Sequence, residues 1–489
     1  MKSRWIIPAI VLFTLACDDI RRPKSTGTPV DRDLQAIAKD TLRVGVLEDA
    51  LTWEERTHGY AGAEWDLLNS FALKSGIPIV PVPMESVSEL CTALLGGNVD
   101  LIAAQLGERT IVADGIRSTE AFAKARPVML FRRPQESKRK VAIDTVRIPE
   151  ASAFAQTGLV LKDRFAELAR VSSTATTTHL LDNVVLGKQN AVMVTELAAA
   201  RALKQFPHLG GVVLSNDKTP LVFAVRANAQ QLLAAINAHL ASAEVELARA
   251  NFPADFRFQE RTGAYGSRTP AVVGDTISPF DKLFRHVADS LVLDWHLLAA
   301  IAFRESRYDT AAGSHMGAQG LMQLMPATAR RFSGEKSPGL KGQVIAAAVY
   351  LKELDTLWQR SVPDRKQRQR FVLASYNAGE SHVQDAQRLA AHFGLQRDKW
   401  ENNVERALLL LSCPRHWRKP PVRNGFCNGS ETFRFVRNVA GTWAYFGLVL
   451  DEEPVQDTTG FMLPLDTVVS PTGTQAQPDS VPVVVPIGI

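Results

Sequence analysis

The sequence predicts a multidomain chain: two successive α/β blocks followed by a domain made mostly of α-helices. Three observations predict it. The chain has 489 residues, more than a single hydrophobic core holds. Strand-like and helix-like patterns alternate from Thr41 to about Arg226, the signature of a mostly parallel sheet. After a Pro-, Gly- and Thr-containing linker at 261–275 the β signal fades, and apolar residues recur at helical spacing from Leu283, Val287 and Leu291 onward.

The N-terminus reads as an export signal. Met1 to Arg4 is short and basic, Trp5 to Ala16 is apolar, and Cys17 follows. That run is too short to cross a bilayer as a helix, so residues 1–16 are expected to be a signal peptide. Phe13 to Cys17 resembles a bacterial lipobox, in which Cys17 is lipidated and becomes the mature N-terminus. A plain cleaved signal peptide is the alternative, and either one takes the protein out of the cytoplasm. Residues 17–40 then form the lipidated end and a tether, polar from Arg22 to Arg32.

In the module expected over 41–260, Leu42–Leu47 reads as a strand and Ala63–Ser75 as an amphipathic helix ending at Gly76. Ile77–Val82 is a strand, Val87–Leu95 a helix and Val99–Ala104 a strand. Val128–Arg132 and Val141–Thr145 bracket a basic connection containing Pro134, expected as a hinge. A second, similar block carries strands at Ala191–Thr195 and Val222–Val225, and helix Gln230–Arg249 follows.

The helical domain, 276–450, opens with Asp294 as an N-cap for Trp295–Arg304. Further helices are expected at Pro326–Phe332, Gln343–Trp358, Gln369–Ala378, Ser381–Phe393, Trp400–Leu411 and Thr432–Phe446. Residues 451–489 are acidic, rich in Pro, Thr and Val, and expected to be disordered.

Charge narrows the partners without deciding them. Asp275 to Leu450 holds 24 Lys/Arg against 16 Asp/Glu. A basic domain suits a polyanion, and both peptidoglycan and nucleic acid fit the sign. Outside the cytoplasm Cys413 and Cys427 are placed to close a short loop by a disulfide. No His/Cys cluster has zinc-ligand spacing, so neither metal nor cofactor is expected.

The chemistry-bearing stretch is Leu297 to Ala329. An apolar helix ends in Arg304-Glu305-Ser306, which sets a carboxylate against hydrophobic neighbours. Such a wall desolvates the acid and raises its pKa, as a general acid working near neutral pH requires. A Gly-rich loop from Gly313 to Gly320 follows, then Pro326, preset to start a helix.

Glu305-Ser306, Ser314, Gly317-Ala318, Gly320 to Gln323, Met325-Pro326, Thr328-Ala329, Tyr376 to Gly379, Glu431-Thr432 and Phe435-Val436 resemble, in order, the signature of soluble-lytic-transglycosylase-type domains. The resemblance implies a goose-lysozyme-like fold and cleavage of peptidoglycan glycan strands, a carbon–oxygen lyase reaction. It makes Glu305 the catalytic acid and base. It makes Ser314, Gln323, Met325, Tyr376, Asn377 and Glu431 substrate-binding residues, with Glu431 alternatively a structural helix-start residue. Phe435 stands where the family more often has tyrosine.

Residues 41–133 and 141–258 resemble the two-lobed periplasmic solute-binding fold used for polar amino acids, on Leu42–Leu47, Gly62 to Leu67 and Gly97 to Leu101. This implies a muropeptide or amino-acid ligand, with Arg109 as the candidate grip on its carboxylate. The family's usual Thr-x-x-Arg spacing is missing here. The combined resemblance implies a periplasmic, lipid-anchored enzyme, expected at the outer membrane although Asp18 favours the inner. Two other readings are a peptidoglycan-binding sensor without catalysis and a hydrolytic lysozyme on the same fold. No nucleic-acid role is expected.

Overall fold

The computed structural model describes residues 30–450 apart from 48–52, 57–58, 111–113, 135–142, 151, 156–160, 166, 244 and 247–275. Cys17, the linker 261–275 and the tail 451–489 lie outside the described residues.

The chain enters through a short helix α1 (Leu34–Ile37) and the strand β1 (Leu42–Leu47). The hairpin β2 (Glu54–Arg56) and β3 (Gly59–Ala61) leads into helix α2 (Ala63–Ser75). Gly76 closes α2 in the left-handed region at φ 67°, where a side chain would be strained. Then come β4 (Ile79–Met84), α3 (Val87–Leu95), β5 (Leu101–Gly107), β6 (Ile116–Ser118) and β7 (Ala123–Ala125). The chain crosses to a second sheet with β8 (Pro127–Arg132), β9 (Thr145–Pro149), β10 (Ala169–Ser173), α4 (Thr177–Leu186), β11 (Ala191–Thr195), α5 (Glu196–Gln205) and β12 (Leu209–Val213). It returns through β13 (Thr219–Arg226) and α6 (Gln230–Leu240).

Among the described residues the result is two large sheets, ordered β4-β1-β5-β13-β6 and β10-β9-β11-β8-β12, beside the two-stranded β2-β3 pair. β1 runs parallel to β4 and β5, while β13 inserts antiparallel to β5. β4 carries Pro81 and Pro83 and takes the sheet edge, where missing N–H donors cost least. The two crossings lie at Arg126 and at residues 214–218. The hinge expected between Val128–Arg132 and Val141–Thr145 is therefore misplaced, because β8 and β9 both belong to the second sheet.

Lobe 1, built on the first of these sheets, is fastened by a buried charge cluster, and lobe 2 is built on the second. Asp100, fully buried, accepts from Arg43 at 2.9 and 3.1 Å, Arg32 at 3.0 Å and Arg226 at 3.3 Å. Burial alone would raise this carboxyl, but the arginines outweigh it and hold it below its ordinary range. Arg226 also donates to the Arg32 carbonyl at 2.7 Å, and Asp33 accepts from the Gln231 and Leu232 amides at the start of α6. Arg32 thus belongs to the folded lobe, and the tether expected through Arg32 ends before it.

The helical domain holds α7 (Asp281–Leu291), α8 (Trp295–Ser306), α9 (Pro326–Ser333), α10 (Leu340–Gln359), α11 (Arg365–Ala378) and α12 (Glu380–His392). It ends with α13 (Glu405–Leu410), the short α14 (Pro414–Trp417) and α15 (Gly429–Val449). The helix expected over Trp400–Leu411 starts later, because Glu401 and Asn402 leave helical φ/ψ. Helix α8 is the central rod, with every residue from Trp295 to Ala302 buried. The Asp294 carboxylate caps it, accepting from the His296 amide at 2.9 Å and from Trp443 Nε1 on α15 at 2.6 Å. Arg304 at its other end donates to Thr442 Oγ1 at 2.7 and 3.0 Å.

Lobe 2 and the helical domain share one continuous apolar cluster. Polar contacts pin the seam: Arg415 donates to Asp182 at 3.0 Å, His416 pairs with Asp182 at 2.9 Å, and Arg406 reaches the Leu186 carbonyl at 2.6 Å. Burial would raise the Asp182 carboxyl; Arg415 and His416 instead hold it well below the carboxylate range. Among the described residues no helix is long and apolar enough to cross a membrane.

Removing Asp100's charge leaves three arginines facing a buried neutral group. Asp100→Asn is expected to destabilise lobe 1 by about 3–5 kcal/mol. Hydrogen exchange should report faster opening of β1 and β5, with α8 unaffected.

Candidate active site

Glu305 lies in the last turn of α8, half-buried, directly after the fully buried run that ends at Ala302. Its carboxyl is pushed up to about 8, first by burial and then by the negative charge of Glu431. The negative end of the α8 dipole acts in the same direction. At neutral pH the group holds its proton and can donate it.

The backbone reverses immediately after it. Arg307 and Tyr308 take left-handed conformations at φ 53° and 68°, and Gln323 across the loop does the same at φ 47°. Each non-glycine residue there costs on the order of 1–2 kcal/mol, strain that the surrounding contacts must hold. Ser306 Oγ donates to the carbonyls of Ala302 (3.1 Å) and Leu321 (2.9 Å). Tyr376 donates its phenol to the Met322 carbonyl at 2.9 Å. The Gln323 amide donates to the Ala312 and Gly320 carbonyls, both at 2.9 Å. Gln343 Oε1 accepts from the Leu321 amide, and Gly320 sits at φ 72°, where a side chain would be strained and its Cβ, 2.1 Å from that oxygen, would displace the Gln343 amide.

The expected site residues thus fall into two groups. Gln323 and Tyr376 spend their donors on the protein's own loop, beside Glu305. Ser314, Met325 and Glu431 are exposed, with Ser314 Oγ accepting from the Ala318 amide and Glu431 from Asn428 Nδ2 at 2.9 Å. Asn377, half-buried, accepts from Thr432 at 2.8 Å. Met322 is core, and Phe435 is buried, stacked parallel to Tyr376 at 6.4 Å. Among the described residues no group of three or more His, Cys, Asp or Glu is placed to hold a metal.

The expected bridge between Cys413 and Cys427 is not formed, and both residues are buried free thiols. Cys413 Sγ instead accepts from Gln205 of lobe 2 at 3.2 Å, and burial pushes the Cys427 thiol up to about 12. The loop that the bridge was expected to hold is organised by Asp385, fully buried, which accepts from the Arg423 and Asn424 amides at 2.8 and 2.7 Å. No sequence signal marked Asp385 for this role, and Thr432 stood out only as part of the Glu431-Thr432 signature.

Residues 282–398 match the family model of the transglycosylase SLT domain. The helical domain carries a transglycosylase SLT region over those residues. The chain as a whole is similar to proteins named membrane-bound lytic murein transglycosylase F. The relative from Aeromonas hydrophila is 27% identical over 449 residues, covering 89% of this chain and 87% of its own. That from Serratia proteamaculans is 27% identical over 418 residues, covering 82% and 83%. Lobes 1 and 2 superpose on a substrate-binding protein of an amino-acid ABC transporter at 15% identity and a TM-score of 0.36, over 45% of this chain and all of that one. A Streptococcus pneumoniae amino-acid transporter binding protein bound to L-arginine gives 16% and 0.37, over 46% and all. The model of the SLT domain stops short of Glu431 and Thr432, which the fold returns to the site on α15.

In the α/β module Arg109 is exposed, in the turn after β5, and does not line the cavity of about 40 Å³ between the lobes. That cavity is walled by Ser86, Gln105, Thr174, Thr176, Thr177 and Thr195 among others. Thr195 donates to Gln105 at 2.7 Å and Thr110 to the Ser152 carbonyl at 3.1 Å, closing one lobe on the other.

A carboxyl whose folded pKa is raised binds its proton more tightly in the folded SLT domain than in the unfolded chain. Its stabilising effect is full below about pH 4.5 and is lost as pH rises through about 8. Glu305→Gln, permanently neutral, is therefore expected to melt about 2–6 °C above the wild type at pH 8 and level with it at pH 5. Equal melting at both pH values would contradict the raised pKa.

Proposed function

We propose that the chain is a lytic murein transglycosylase whose single acid and base is Glu305. The observation that carries this is a glutamate at the end of the buried helix α8, its carboxyl pushed up to about 8, within the residues that match the SLT domain. Glu305 gives its proton to the oxygen of the β-1,4 bond leaving N-acetylmuramic acid C1, and that C–O bond breaks. The carboxylate then takes the proton of the muramoyl C6 hydroxyl, whose oxygen closes onto C1. The proton count balances within Glu305, no water is consumed, and the product is a 1,6-anhydromuramoyl end. Ser314, Met325, Asn377 and Glu431 line the sugar path in this reading, while Gln323 and Tyr376 hold the loop beside the acid.

A hydrolytic reading has one observation in its favour, the second carboxylate of Glu431, since ordinary glycosidases use two. Product mass separates them. Fragments released from purified peptidoglycan are expected to be one water lighter than lysozyme products. Reducing ends would support hydrolysis. Glu305→Gln is expected to lose about 10²–10⁴-fold in turnover, and near-normal turnover by that variant would overturn the assignment.

The α/β module is proposed as a ligand-responsive regulator, and Cys17 as the lipid anchor holding the enzyme in the periplasm, at the outer membrane. Lobe 2 is already docked on the SLT domain through Asp182, Arg415 and His416. Helix α15 offers Phe433 to His208 of lobe 2, ring centroids 5.8 Å apart, while its neighbour Thr432 bonds to Asn377 of the site. A muropeptide entering between the lobes must part the Gln105–Thr195 and Thr110–Ser152 contacts, because the closed cavity is too small for it. Such an opening shifts the enzyme only by the ligand's differential affinity for the two states, typically about 1–3 kcal/mol. Stem peptides are expected to change the cleavage rate of the full protein, with a coupling to glycan affinity of about 5–150-fold. Calorimetry showing no binding, with an unchanged rate, would reduce the module to a spacer.

A further inference from the structure

We propose that the seam between lobe 2 and the helical domain holds a binding site for a phosphate-like oxyanion, built on Arg132 of lobe 2 and Arg406 of α13. The inference does not depend on the reading of the glycan site.

Arg132 ends β8, in register with Leu209 at the start of β12. Its Nε is buried and has no hydrogen-bond partner among the described residues. Burial lowers its pKa, with no carboxylate opposing that shift. Elsewhere in this chain a carboxylate answers such a group: Asp100 for Arg32, Arg43 and Arg226, Asp182 for Arg415, and Glu405 for Arg437. A second guanidinium meets Arg132 from the other domain. Arg406, buried, donates through Nη1 to the Leu186 carbonyl at 2.6 Å and through Nη2 to Asn402 Oδ1. Gly187 closes α4 at φ 79°, and a Cβ there would stand 2.2 Å from Arg406 Nη1 and 3.0 Å from Arg132 Nη1. The two cations are therefore neighbours across the seam. His208 lies in the same field, its imidazole held neutral first by burial and then by Arg406, Arg437 and Arg132.

Like charges this close repel, and a buried cation without a counter-ion is costly. An oxyanion between the two guanidinium groups removes both penalties. Arginine offers its N–H groups in a planar fork that meets two oxygens at once, and the Nε of Arg132 is unspent. Two cations match a dianion better than a monoanion, which favours phosphate over acetate or chloride. Arg132 as a whole is only half-buried, so an ion from solvent reaches it. Since Arg132 belongs to lobe 2 and Arg406 to the helical domain, the bound ion ties the two together, along the seam already pinned by Asp182 and Arg415.

The test uses the full-length protein freed of phosphate. Inorganic phosphate is titrated by calorimetry, and melting is followed with and without it at constant ionic strength, with acetate and chloride as controls. The parent is expected to bind phosphate and to melt about 2–4 °C higher in its presence. Arg132→Gln is expected to bind at least about tenfold more weakly and to gain no melting temperature from phosphate. In phosphate-free buffer this variant melts level with the parent or above it, because the repulsion of Arg406 is gone. Arg132→Lys, which keeps the charge and loses the fork, falls between the two in affinity. A general salt effect raises parent and Arg132→Gln alike, and that result overturns the proposal. So does a parent that binds no phosphate, or one stabilised equally by acetate or chloride. An Arg132→Gln protein that melts clearly lower, or fails to fold, without phosphate also overturns it, since Arg132 would then have its partner within the chain.

Discussion

Everything at the site depends on the burial of helix α8. Eight consecutive buried residues, Trp295 to Ala302, make it the rod around which the helical domain packs. A charge one turn beyond such a run is poorly solvated, and that is the leading cause of the raised Glu305 pKa. Anchoring at both ends by Asp294–Trp443 and Arg304–Thr442 keeps the helix from sliding. Without that rigidity Glu305 could relax toward water and recover an ordinary pKa. The left-handed Arg307 and Tyr308 then turn the chain back at once, so that the loop to Met325 folds beside the acid rather than away from it.

The same packing joins the two halves of the molecule. Lobe 2 shares its apolar cluster with the helical domain, and among the described residues the buried Asp182 side chain is paired by Arg415 and His416 of that domain. Buried pairs of this kind contribute little net stability but are costly to break singly, so they fix one docking geometry. His208 at the seam is held neutral, its pKa lowered to about 3 by burial and by Arg406, Arg437 and Arg132. Helix α15 touches both His208 of lobe 2 and Asn377 of the candidate site within its first turn and a residue beyond. A displacement of lobe 2 therefore has a short mechanical route to Asn377 and Glu431.

Much of this was legible in the sequence where local rules and burial agree. Ala63–Ser75 and Val87–Leu95 fall where periodicity and capping placed them, because each ends in a glycine, Gly76 or Gly96, and the apolar run Ala191–Thr195 forms its strand as expected. Asp294 caps α8 as its residue type implies. The desolvation of Glu305 was legible from the apolar helix that precedes it. What depends on contacts distant in sequence was not legible. The lobe crossings follow from sheet pairing, Asp385 acts on residues nearly forty positions away, and Thr432 meets Asn377 across 55. The cysteine pairing failed for the same reason, since spacing is blind to Gln205, which engages the Cys413 sulfur from another domain.

The most direct measurement is the titration of Glu305 itself, by carboxyl-carbon NMR of selectively labelled protein or by difference infrared spectroscopy against Glu305→Gln. The account predicts a midpoint near 8 in the free enzyme, falling in Glu431→Gln because one of its two causes is removed. A midpoint near the ordinary glutamate value of 4.5, unchanged in Glu431→Gln, would contradict it.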